Sequence, residues 1–225
     1  MAYHQSPYYF RSTPISRENH GKLTVEGTGM VTAMPNKASI TLGVMTENQN
    51  VEEAQNQNAV ITNNVITALK NSGLTNEQIQ TISYTILPIY RNIEEQSILT
   101  GYKINHILEI DLFDLDKIGE VYEIAISNGA NIAEGLRFSL INEEYHYQQA
   151  LNKAMKQATL KAISLGHQIG VTFNPIPSKV TENSSSQLSR EIMFSYAAES
   201  PFQTTPPIQK REISIQAKLT AVFYY

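Results

Sequence analysis

Apolar residues in this chain keep to alternate positions over long stretches. Tyr102, Ile104, His106, Leu108, Ile110 and Leu112 fall on one side of an extended segment, with Lys103, Asn105, Glu109 and Asp111 on the other. The same period of two runs through Leu23, Val25, Gly27, Gly29, Val31 and Ala33, and through Ala38, Ile40, Leu42 and Val44. It returns in Ile82, Tyr84, Ile86 and Tyr90, in Ile132, Leu136, Phe138 and Leu140, and from Ile213 to Phe223. Strands of a parallel sheet are buried on both faces and read as unbroken apolar runs, whereas one-sided alternation marks a sheet with a single covered face. The pattern predicts a two-layer α+β domain: a largely antiparallel sheet with three helices packed on one face.

The segments between strands carry helix signals. Asn50 is placed as an N-cap with Glu53 positioned to close a capping box, and Ala54, Ile61, Val65, Ala68 and Leu69 recur at helical spacing. Gly73 supplies a left-handed stop, after which Leu74 can fold back on the last turn. A second helix carries Leu115, Ile118, Val121, Tyr122 and Ala125 and ends at Asn128–Gly129. The longest, from about Glu143 to Ile169, shows a stripe of Tyr147, Leu151, Ala154, Ala158, Ala162, Leu165 and Ile169 before Gly170. Met34-Pro35-Asn36-Lys37 fits a tight turn, so the first two strands read as a β-hairpin. A short strand is expected at 176–182.

Composition narrows the possible functions. A chain of 225 residues can bury a substantial core as one domain, residues 22–225, with residues 1–21 as a flexible arm and a long Ser- and Pro-rich loop at about 183–208. Charged residues make up 17% and the net charge is −4, without the basic stripe that nucleic-acid binding requires. The absence of cysteine removes disulfides, thiolate metal sites and a Cys nucleophile. No segment approaches the roughly 20 apolar residues of a membrane span. The first 22 residues contain Pro7 and Pro14 and no apolar run of signal-peptide length, which leads to the expectation of a soluble cytoplasmic protein.

The best chemical candidate is EIDLFDLDKIGEV, residues 109–121. A calcium loop needs oxygen ligands at its first, third, fifth and twelfth positions. Counting from Asp114 gives Asp116 and Gly119 in register, but the fifth position is Ile118 and the twelfth is Ala125. Strand alternation places Glu109 and Asp111 on a polar face with Lys103. Asp114 stands where a helix begins, with Asp116 and Glu120 in or near its positive first turn. His4, His20, His106, His146 and His167 show no metal-ligand spacing. His106 reads as a core histidine and His146 as a surface or packing residue. Gly27-Thr28-Gly29 lacks the remainder of a dinucleotide fingerprint and reads as a bulge or a close backbone approach. No catalytic, cofactor-binding or metal-ligating residue is assigned and no cofactor is expected, so the chain is read as a non-enzyme.

Five stretches taken together resemble the SIMPL-domain family, a family of unknown function. They are 23–44 (LTVEGTGMVTAMPNKASITLGV), 68–90 (ALKNSGLTNEQIQTISYTILPIY), 99–131 (LTGYKINHILEIDLFDLDKIGEVYEIAISNGAN), 135–140 (GLRFSL) and 207–223 (PIQKREISIQAKLTAVF). The likeness covers residues 22–225 nearly end to end and in order. It implies a mixed α+β domain, self-assembly into large ring-like or channel-like oligomers, and no established catalytic residues. Bacterial members are often exported and linked to envelope or stress physiology. The leading expectation is therefore a non-enzymatic, self-associating scaffold or interaction protein whose partner is itself or another protein. The alternatives are a small-molecule-binding domain or enzyme with a pocket under the 183–208 loop, and a protein-binding signalling adaptor.

Overall fold

A computed structural model describes residues 21–93, 95–172, 174–183 and 210–225. The expected arm at 1–21 and the loop at about 183–208 lie outside those residues, apart from Gly21 and Asn183. The elements in order are β1 (Lys22–Ala33), β2 (Lys37–Asn48), α1 (Val51–Asn71), β3 (Ile79–Ile93), β4 (Gln96–Leu112), α2 (Ile118–Ser127), β5 (Ile132–Ser139), α3 (Glu143–Gln168), β6 (Lys179–Glu182) and β7 (Ile213–Tyr224). The expected α+β class with antiparallel pairing is what the chain adopts.

The strands form two sheets, each with its own helical cover. One has the order β3-β4-β2-β5 and the other β1-β7-β6. Ile40, Leu42, Val44, Leu108 and Ile110 of the four-stranded sheet pack with Val65 and Leu69 of α1 and Val121 of α2. In the three-stranded sheet, Val25, Leu219 and Phe223 meet Ala154, Ala158 and Ala162 of α3.

The expected β-hairpin of the first two strands does not form. β1 pairs with β7, from Lys22 opposite Tyr224 to Ala33 opposite Ile213, while β2 pairs with β4 and β5. Met34-Pro35-Asn36 carries the chain from one sheet to the other. The Asn36 N–H donates to Ser139 O at 3.2 Å, and its side-chain oxygen accepts from Ile141 N at 2.8 Å. Those bonds tie the link to the end of β5 instead of closing it on β1.

Local signals act as their chemistry suggests. Asn50 Oδ1 accepts from Glu52 N at 2.8 Å and Glu53 N at 3.3 Å, while the Asn50 N–H donates to Asn48 Oδ1 at 2.9 Å rather than to Glu53. At the end of α1, Gly73 has φ of 102° and the Leu74 N–H reaches back to Leu69 O at 3.3 Å. Helices α2 and α3 close on the same motif at Gly129 and Gly170. In β5, Gly135 is the extra residue of a bulge, unpaired between Leu136 opposite Ile40 and Glu134 opposite Thr41. The bulge turns Ala133 inward and leaves Ile132, expected there, only partly covered.

Candidate functional site

The acidic stretch separates into scaffold contacts. Asp111 accepts from Ser39 Oγ at 2.7 Å and pairs with Lys37 Nζ at 2.8 Å. Burial on its own would raise the Asp111 pKa; the Lys37 and Ser39 hydrogen bonds and the charges of Lys37 and Arg137 outweigh it and hold the carboxyl below its ordinary value. Glu109 pairs with Arg137 at 2.9 Å. Asp114 caps its turn by accepting from Asp116 N at 3.1 Å, and Asp116 pairs with Lys210 at 2.7 Å. Each carboxylate points to a different partner. Among the described residues, no three His, Asp or Glu side chains converge as metal ligands would.

His106 opposes Tyr84 across the β3–β4 pair, ring edge to ring face at 5.2 Å, with Thr81 Oγ1 3.0 Å from its Nε2. Desolvation holds its pKa below the usual imidazole value. His146 is half-buried on α3 and stands edge-on to Tyr145 at 5.4 Å. His106 has the Thr81 hydroxyl as its partner, and neither histidine has a carboxylate partner in these contacts.

Gly27 and Gly29 mark a close backbone approach. A methyl group on Gly29 would overlap Ala150 O and stand 2.5 Å from Ala154 N; one on Gly27 would overlap Ala154 O. Ala150, Ala154, Ala158, Ala162 and Gly166 form the facing stripe of α3, while the expected Leu165 and Ile169 remain largely exposed. This seating lets α3 cover the open edge of β1. Lys153 Nζ donates to Met30 O at 3.0 Å, Gln157 Oε1 accepts from Thr28 N at 2.7 Å, and Lys161 Nζ donates to Glu26 O at 2.8 Å. Three side chains one helical turn apart thus satisfy three alternate backbone groups, which blunts a natural site of strand-to-strand aggregation.

The other sheet has a different end. β2 runs out where Asn48 opposes Tyr102, so from Gly101 to the tip β4 pairs with β3 alone among the described residues. That two-stranded tip of the β3–β4 ribbon leaves Tyr90, Ile98 and Leu99 between 43% and 56% exposed, and Tyr84, Ile86 and Leu87, on the outer strand leading into it, are 40% to 48% exposed. Sequence alternation identified Ile82, Tyr84, Ile86 and Tyr90 as one face but implied that it was buried. Periodicity does not reveal that α1 lies over β2 and β4 and leaves the outer strand β3 largely uncovered. A cleft of about 360 Å³ opens beside the ribbon, lined by Gln49, Leu99, Thr100 and Gly101. None of those four side chains ionises. The ribbon and its cleft are the candidate site, suited to binding a surface by apolar contact.

A family model named SIMPL, described as a protein of unknown function (DUF541), matches residues 23–223. The chain belongs to the SIMPL family. It is similar to the 26 kDa periplasmic immunogenic protein of Brucella melitensis, with 28% identity over 216 residues, covering 90% of this chain and 84% of the relative. It is also similar to the uncharacterized protein YggE of Edwardsiella ictaluri, with 25% identity over 184 residues and 81% and 77% of the two chains covered. For YggE of Escherichia coli K12 the figures are 21% over 201 residues, 89% and 82%. The expectation of a cytoplasmic SIMPL protein is corrected here: the Brucella relatives carry a periplasmic designation. Among the described residues, no helix is long and apolar enough to cross a membrane.

Proposed function

We propose that this SIMPL protein is an exported, non-enzymatic scaffold that acts by associating with copies of itself. The observation that carries the reading is the uncovered β3–β4 ribbon. A two-stranded ribbon is marginal in water on its own, and large apolar side chains gathered on one projecting element mark an interaction surface. Neighbouring copies that cover these side chains would stabilise the ribbon as well as the assembly. The periplasmic designation of the Brucella relatives supports placing the scaffold in the cell envelope, where a cysteine-free chain is indifferent to the oxidising environment.

Light scattering on the purified full chain tests self-association, with a version lacking residues 1–21 run beside it. The expected mass is a multiple of the 25.2 kDa protomer. A strict monomer at high concentration overturns the reading. Osmotic-shock fractionation tests the location, and recovery with cytoplasmic markers alone overturns export.

A further inference from the structure

Resting on the self-association reading, we propose that two copies pair through the helix-side face of the β3–β4 ribbon, with Tyr90 of each copy seated in the cleft at Gln49, Leu99, Thr100 and Gly101 of the other. Ile86 lies opposite Ile104, a fully buried residue of the sheet's core face. Tyr84 is beside Gln55 of α1, whose Nε2 lies 3.5 Å from the phenol oxygen. Tyr90 follows these two at even spacing on β3, and Leu99 lies directly opposite it. All four side chains therefore continue the core face along the β3–β4 pair, from beside the first turns of α1 at Tyr84 out to the two-stranded tip at Tyr90 and Leu99.

The ribbon's faces, not its edge, are built for contact. Pro88 removes a backbone donor from β3. The unpaired Ile82 and Thr100 mark bulges where the register shifts, from Thr81 opposite Leu108 to Ser83 opposite Ile107 and from Ile89 opposite Gly101 to Tyr90 opposite Leu99. Proline and bulges are the devices that discourage edge-to-edge strand addition. The turn sets exposed Asn92 and Glu95 on either side of exposed Ile93, and burying those polar groups in hydrocarbon is costly, which favours a protein partner over a lipid layer.

A second copy fits by shape and area. Tyr90 is the most exposed of the ribbon's aromatic residues, and the cleft next to it is large enough for a phenol ring. Gly101 shapes the cleft: its missing Cβ would lie 2.8 Å from Asn48 O and 3.4 Å from Gln49 Cα. A protrusion and a recess side by side on one face satisfy each other across a two-fold axis. Tyr84, Ile86, Tyr90 and Leu99 expose on the order of 400 Å², about half of the ~800 Å² per partner of a standard interface, with a polar rim supplying the rest.

Sedimentation velocity on the full chain carrying Tyr90→Glu or Leu99→Glu tests the pairing, with Tyr90→Phe and the exposed α3 substitution Leu160→Glu as controls. The expected result is at least a tenfold weaker association for both glutamate variants, unchanged far-UV circular dichroism, and wild-type association for the controls. A monomeric wild type overturns this inference together with self-association. A wild-type oligomer that both glutamate variants retain overturns the inference alone. Should either variant misfold, mixing two single-cysteine chains, Tyr90→Cys and Thr100→Cys, decides: a mixed disulfide dimer on mild oxidation supports the pairing, and its absence from an associating mixture overturns it.

Discussion

At Gly29 the strand backbone and the α3 backbone come so close that a side chain's first carbon has no free volume, and the obstructing atoms are backbone. A rigid obstacle cannot turn aside as a flexible side chain would. Gly29→Ala is expected to destabilise the fold by about 3 kcal/mol or more, read from urea unfolding midpoints; a variant within experimental error of wild type would contradict the packing described. Asn58 is a second critical residue, fully buried on α1, donating to Val44 O at 2.8 Å and accepting from Thr62. Replacing it with leucine removes this buried helix-to-sheet bond and leaves the Thr62 hydroxyl without this acceptor, and is expected to cost about 1–3 kcal/mol. The close approach at Gly27–Gly29 was legible because glycine within an alternating strand has few other uses. Asn58 and Thr62 were not, since a polar residue on the core stripe looks like an interruption until its partners are known.

His106 adds a pH dependence at the same scale. Desolvation lowers its pKa in the fold, so the unfolded chain takes up a proton near pH 6.5 while the folded chain still holds the ring neutral. Below about pH 6.5 the unfolded state binds more protons, and this part of the stability is lost as pH falls towards the folded pKa. Urea midpoints measured from pH 7.5 down to 5 are expected to decline, with a shallower decline in His106→Gln. Parallel declines in the two proteins would remove His106 as the cause.

Among elements, helices were the more legible and strand partners the less. A helix closes its hydrogen bonds internally, so Asn50, Gly73, Gly129 and Gly170 mark its limits with local chemistry. A strand bonds to its neighbour, and alternation indicates which side is buried without saying which strand lies alongside. That is why Met34-Pro35-Asn36 read as a hairpin turn, although its bonds go to Ser139 and Ile141. The covering of β1 by Lys153, Gln157 and Lys161 was likewise hidden, because lysine and glutamine on a helix read as solvated surface. Changing all three to alanine is expected to leave the circular dichroism spectrum native while producing turbidity that rises with protein concentration on mild heating. Clear solutions at all concentrations would show that the edge needs no cover.

At the scale of the whole molecule, two helix-covered sheets are joined by short links, and one sheet extends beyond its helices as a ribbon. The α+β class could be read from one-sided alternation. The division into two sheets could not, because it depends on which strands meet. The acidic stretch 109–121 drew attention as chemistry but serves as scaffold, tied to Lys37, Ser39, Arg137 and Lys210. The ribbon looked like ordinary core until the end of β2 and the start of α1 were placed. Sedimentation equilibrium on the full chain, followed from low to high concentration, tests the central claim most directly. The account predicts a mass of at least two 25.2 kDa protomers that falls towards one on dilution or on Tyr90→Glu substitution. A mass of one protomer at every concentration would contradict it.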